Sequence, residues 1–210
     1  MLGLTVPTDP RWAKLAVDHL DAVLVDHAHC ELKAAANAIS LVARQPDDMP
    51  LVRALSALAE EEVAHFRQVL DVLSARGLTL GTPEKDEYAV LLRRAATKLP
   101  KRHDEALVGA DRLLVGALIE ARSAERFQLL ARELEVRGES ELAPFYQDLF
   151  ACEARHYRTY VDLAELAALG TVPSPAESRA LVRDRLAELA VLEGQLVHDS
   201  AATLRAAIHG

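Results

Sequence analysis

The sequence predicts an all-α fold, a four-helix bundle with one long crossover between its second and third helices and an extra C-terminal helix. Three observations predict it. Half of the 210 residues are apolar, yet only 4% are aromatic. Ala and Leu supply most of that content, and both form helices well and strands poorly. Pro and Gly, nine of each, mark five breaks: Pro46 with Pro50, Gly77 to Pro83, Pro100, Gly138 to Pro144, and Gly170 to Pro175. Between the breaks, apolar residues recur at steps of three and four, the spacing of an amphipathic helix.

The elements follow in order. The first helix is expected over about 10–44 and the second over 51–76. The turn between them is short, so the two pack antiparallel. The next link, residues 77–103, has to run the length of the bundle and holds a shorter helix within 84–98. The third and fourth helices, about 104–137 and 141–169, again share a short turn and pack antiparallel. The fifth, about 176–207, opens at Ser174-Pro-Ala-Glu177, a capping-box pattern. It packs on the outside of the bundle or against another copy. No internal boundary is visible, so residues 1–210 are expected to form a single domain.

Composition excludes several classes. Two Cys without a Cys-x-x-Cys pair make neither a disulfide scaffold nor a cysteine-held zinc or iron site. No uninterrupted apolar run reaches the ~18 residues of a membrane span. Residues Met1 to Arg11 lack a basic start followed by an apolar run, so no secretory signal is expected. A cytoplasmic protein with reduced thiols and no membrane association is the expectation. The formal charge of −8 argues against a general nucleic-acid binder but leaves room for a local basic patch.

The chemistry lies in what interrupts the apolar stripes. The first helix reads Leu20, Leu24, His27, Glu31, Ala34, Ala38, and the second reads Leu55, Leu58, Glu62, His65, Val69, Val72. The third reads Leu113, Ala117, Glu120, Ala124, Phe127, Ala131, and the fourth reads Leu149, Glu153, His156, Tyr160, Leu163. Every stripe carries a Glu in mid-helix, and two add a His three residues on, on the same helix face. Burying one uncompensated carboxylate costs several kcal/mol. Four in one core call for cations, and two divalent ions balance them. A Glu from each of two helices with Glu-x-x-His from each of the other two is the ligand set of di-iron and di-manganese carboxylate bundles. Oxygen-rich donors with imidazole suit iron or manganese better than zinc or copper. One Glu-x-x-His is a weak signal; its ordered repetition is the stronger one. Glu31, Glu62 and His65 recur as Glu120, Glu153 and His156, 89 to 91 residues later. The competing reading is a metal-free bundle with buried Glu–His and Glu–Arg pairs.

Neighbouring residues receive plainer roles. Glu60 and Glu61 read as a solvated face, with Glu61 a substitute ligand if the helix phase shifts. Glu125 is exposed, paired with Arg122, or a partner to a ligand His. His27, one turn before Glu31, reads as a pocket residue or a support to the ligands. Cys30 and Cys152 read as core, and Tyr157 and Tyr160 as structural. A separate feature is the basic run Arg93, Arg94, Lys98, Lys101, Arg102 and His103, either a solvated surface of the crossover or a phosphate-binding edge. It lacks interleaved aromatics for stacking single-stranded bases.

Four stretches together carry a family resemblance: Asp26-His-Ala-His-Cys-Glu-Leu-Lys-Ala-Ala35, Glu60-Glu-Glu-Val-Ala-His-Phe66, Ile119-Glu-Ala-Arg-Ser-Ala-Glu-Arg-Phe127 and Cys152-Glu-Ala-Arg-His-Tyr157. They resemble the MiaE-like tRNA 2-methylthio-isopentenyladenosine hydroxylases, over about residues 10 to 200. The departure is Ala124, where the family pattern leads one to expect Cys. The resemblance implies a ferritin-like non-haem di-iron monooxygenase that hydroxylates the isopentenyl group of (2-methylthio-)N6-isopentenyladenosine beside the tRNA anticodon. It implies two iron ions held by Glu31, Glu62, His65, Glu120, Glu153 and His156, O2 as co-substrate, and an electron-donating reductase or ferredoxin. The basic run then becomes the candidate contact with the tRNA backbone. The ligand set alone is shared with ferroxidases and other iron-handling proteins, with manganese catalases and with di-iron oxidases acting on other substrates, and these are the alternatives.

Overall fold

A computed structural model describes residues 2–83, 87–99 and 105–201, and among these it has seven helices and no strand: α1 (Arg11–Asp18), α2 (Leu20–Arg44), α3 (Met49–Ala75), α4 (Glu87–Ala96), α5 (Glu105–Arg137), α6 (Leu142–Ala168) and α7 (Pro175–Ala201). The chain divides into two compact units, one over 15–83 and the other over 2–14 with the described residues from 87 to 201.

The first unit is built on the α2/α3 hairpin. Pro46 follows the end of α2, where the Gln45 N–H still reaches the Val42 carbonyl. At the start of α3, the Asp48 carboxylate accepts the Leu51 N–H at 3.1 Å and Pro50 occupies the first turn, where its missing N–H costs no helical bond. The helix stops at Gly77, whose φ of +70° suits a residue without Cβ. The Leu78 N–H then returns to the Leu73 carbonyl and the Gly77 N–H to Ser74. Arg76, after the end of α3, pairs at 2.9 Å with Asp21, near the start of α2, so the hairpin is antiparallel.

The second unit centres on the α5/α6 hairpin, with α4 and α7 packed on it. Gly138, at φ +80°, closes α5 with the same pair of returning N–H bonds, Glu139 to Leu134 and Gly138 to Glu135. Two meetings set the register. Phe127 meets Tyr146 with ring centroids 5.4 Å apart, and Gly116 faces the Tyr160 ring. The expected Ser174 cap forms: the Glu177 N–H donates to Ser174 Oγ at 3.3 Å, and the Glu177 carboxylate engages the Ser174 hydroxyl, which donates to it at 3.0 Å.

Two expectations change. The first helix, expected unbroken over 10–44, is α1 and α2 separated at His19, which leaves helical geometry at φ −121°, ψ +36°. Its N–H is shared between the Leu15 and Ala16 carbonyls and its own carbonyl accepts from Ala22 and Val23, so His19 keeps its backbone partners at the break. The last helix is described only to Ala201, so the expected 202–207 lie outside the described residues. No helix of the described residues is long and apolar enough to cross a membrane.

Candidate metal centre

Each hairpin carries a triad of buried carboxylates and an imidazole. On α2/α3 these are Glu31, Glu62 and His65, whose donor atoms lie within 4.8 Å of one another. His65 Nδ1 is 3.5 Å from Glu31 Oε2 and 3.7 Å from Glu62 Oε2. Two donors that each sit about 2.1 Å from one ion are roughly 3 to 3.5 Å apart, so the first spacing suits a shared ion and the second is slightly wider. On α5/α6 the triad is Glu120, Glu153 and His156, again with donor atoms within 4.8 Å of one another. His156 Nδ1 stands 4.0 Å from Glu153 Oε1. The four carboxylates are between 1% and 4% exposed, so each sits where a lone charge is costly.

Local sequence explains why the donors converge. The i, i+3 spacing of Glu62 with His65 and of Glu153 with His156 places each pair on one helix face. Small or apolar buried residues one turn away, Ala28 and Ala35 around Glu31 and Ala117 and Ala124 around Glu120, leave the carboxylates room and keep water scarce.

Supporting groups hold the donors. His27, one turn before Glu31 and completely buried, has its Nε2 at 2.6 Å from Glu31 Oε1. Burial pushes the Glu31 carboxyl up, but hydrogen bonds with His27, His65 and Glu62 outweigh it and hold the group well below the ordinary carboxylate range. Cys152 Sγ lies 3.5 Å from His156 Nε2 and accepts from Arg155 at 3.1 Å. It is buried, as expected of a core residue, but it also borders a candidate ligand. His29, next in sequence to the same cluster, turns away to the Leu80 carbonyl at 3.0 Å.

Other residues fall as follows. Glu60 and Glu61 are exposed, Tyr157 is half-buried and Tyr160 is buried. Glu125 does pair with Arg122. Arg93, Arg94 and Lys98 lie exposed on and just after α4, while Lys101, Arg102 and His103 lie outside the described residues.

Sequence reasoning missed a second buried polar cluster, in the unit of α5 and α7. The Arg122 guanidinium donates from Nε and Nη2 to both Glu193 oxygens at 2.9 Å, from Nη1 to Thr8 Oγ1 at 3.0 Å and to Glu125, and from Nη2 to the Val6 carbonyl at 2.9 Å. The Tyr88 hydroxyl donates to Glu193 at 2.9 Å, and burial, reinforced by that carboxylate, raises the phenol above its ordinary value. Arg126 stacks on Trp12 at 5.2 Å; burial beside Arg122 lowers its guanidinium to about 10. Glu193 interrupts the Leu189, Ala190, Val197 stripe of α7, the same signal that marks the two Glu, Glu, His triads.

Comparison with known proteins gives a consistent set of matches. The family described as tRNA-(MS[2]IO[6]A)-hydroxylase (MiaE) matches residues 2–209. The tRNA 2-(methylsulfanyl)-N(6)-isopentenyladenosine(37) hydroxylase of Pseudomonas putida is 40% identical over 161 residues, covering 77% of this chain and 74% of the relative. The enzyme of the same description from Salmonella typhimurium is 31% identical over 211 residues, covering 77% and 75%. A solved structure described as protein 43 with aldehyde deformylating oxygenase activity, from Synechococcus, is similar with a TM-score of 0.81 and 37% identity, covering 99% of this chain and 95% of that one.

Proposed function

Because this chain belongs to the tRNA-(MS[2]IO[6]A)-hydroxylase (MiaE) family, we propose that it hydroxylates the isopentenyl side chain of (2-methylthio-)N6-isopentenyladenosine beside the tRNA anticodon, using a di-iron centre. It is an enzyme, a tRNA hydroxylase, with the all-α ferritin-like fold. The proposed ligands are Glu31, Glu62, His65, Glu120, Glu153 and His156, working within one domain over 1–210.

The observation that carries this reading is the pair of Glu, Glu, His triads, whose four carboxylates are buried. The donors fit the ions in number and kind. Each triad supplies two carboxylates and one imidazole nitrogen, which suit a hard or borderline divalent ion. Glu31 Oε1 is held by His27 at 2.6 Å, while Oε2 stands 3.5 Å from His65 Nδ1. When bound, two irons supply the O2 chemistry that no side chain performs, with electrons from an external reductase or ferredoxin.

The chain's own residues bind, orient and exclude water. His65 and His156 turn Nδ1 toward their carboxylates, and the apolar turns around each Glu keep the pocket dry. The adenosine has to leave its stack in the anticodon loop for its side chain to reach a buried centre. Arg93, Arg94, Lys98, Lys101 and Arg102 are proposed to hold the RNA backbone beside it, and the cytoplasm is the proposed location.

The test is nucleoside mass spectrometry. Iron-loaded protein, isopentenylated tRNA, O2 and a chemical reductant should add one oxygen, about 16 Da, to the modified adenosine. Omitting O2 or the reductant should abolish the gain. Protein shown to hold two irons that gives no gain under any condition would refute the substrate.

A further inference from the structure

His27, His29 and Glu31 lie within little more than one helical turn, and the structure gives them different tasks. Glu31 offers two oxygens. Oε2 is the one near His65 Nδ1, at 3.5 Å. Oε1 is taken up by His27 Nε2 at 2.6 Å, an i to i+4 contact between two buried groups. A carboxylate on a flexible two-methylene stem has no intrinsic preference for binding an ion through one oxygen or two. A buried N–H donor on one oxygen removes that freedom, as hydrogen bonds to metal-binding groups generally do.

We propose that His27 is a positioning residue: its Nε2–H holds Glu31 Oε1, so that Glu31 meets the metal through Oε2 alone. The inference rests on the di-metal reading above and deepens it by assigning Glu31 a binding mode. Neither a metal ligand nor a substrate contact is asked of His27. His29, two residues on, is engaged with the Leu80 carbonyl and lies outside this arrangement.

Metal titration of the metal-stripped full chain tests it, with cobalt(II) as a spectroscopic probe. The visible spectrum of cobalt(II) changes in band position and intensity when its coordination number changes. Wild type should bind two equivalents. His27→Ala should weaken one of them about 10- to 100-fold, the usual range for losing such a support. The cobalt still bound there should show weaker visible bands, as a second carboxylate oxygen raises its coordination. His27→Gln keeps an N–H donor at the same reach and should restore both affinity and spectrum. Circular dichroism at matched temperature keeps loss of fold separate from loss of metal.

Two results would overturn the proposal while leaving the di-metal centre standing. One is His27→Ala with unchanged affinity and spectrum. The other is His27→Gln failing as badly as His27→Ala, which would make His27 a packing residue. Wild type taking up no cobalt would overturn this proposal and the metal reading together.

Discussion

Arg122 illustrates how much a single residue can depend on its surroundings. A guanidinium has five N–H groups, and here oxygen acceptors from Val6, Thr8, Glu125 and Glu193 surround them. Arg122 and Glu193 are both completely inaccessible to water. Ion pairs of this kind give little net stability over a well-packed apolar pair, because desolvation cancels most of the attraction. Breaking one side is different, because the remaining charge stays buried. Arg122→Leu should therefore cost about 3–5 kcal/mol, read as a fall in denaturation midpoint at unchanged slope. The double replacement Arg122→Leu with Glu193→Leu should recover much of that loss. A double variant as unstable as the single one would mean that the ties to Val6 and Thr8, rather than the charge pair, matter most.

At the scale of the element, the α5/α6 hairpin depends on a close approach at Gly116. A Cβ there would stand 2.9 Å from Tyr160 Cε1 and 3.1 Å from two more ring carbons. Gly in a helix interior ordinarily costs about 0.5–1 kcal/mol relative to Ala, so Gly116→Ala would stabilise an unobstructed helix. Tyr160 is large and fully buried, and overpacking of this kind costs about 1–3 kcal/mol. The crowding should win, and the variant should melt several degrees lower; a higher melting temperature would show that the ring shifts aside freely. This approach was not legible in the sequence, where Gly116 is one more small residue in an Ala-rich helix. The helix ends were legible because Gly77, Gly138 and the Ser174 cap act locally. The His19 break was not, since neither Gly nor Pro marks it and its backbone bonds are shared. The two triads were legible as polar interruptions of apolar stripes. Glu193 carried the same signal, but its partner Arg122 lies 71 residues away and no local pattern joins them.

At the scale of the whole molecule, charge poses the sharpest problem. A chain of formal charge −8 has to meet a polyanion, and two divalent ions would bring it only to about −4. Long-range attraction to tRNA is therefore weak, and binding has to rely on a local cluster that displaces counterions from the RNA. The basic run on and after α4 is the proposed cluster, and three of its members, Arg93, Arg94 and Lys98, are exposed. Replacing Arg93, Arg94, Lys101 and Arg102 by Ala should weaken tRNA binding for all sequences alike and leave metal content unchanged. The slope of log affinity against log salt should become shallower by about one for each phosphate no longer neutralised. Binding isotherms at several salt concentrations give both quantities. A variant with wild-type affinity and wild-type slope would move the RNA surface elsewhere. A variant with weakened affinity but an unchanged slope would mean that these residues touch the base or its side chain instead of the backbone. Because the proposed metal ligands lie on α2, α3, α5 and α6 and the basic run on the crossover segment, loss of RNA binding with full metal content would separate docking from chemistry in one chain.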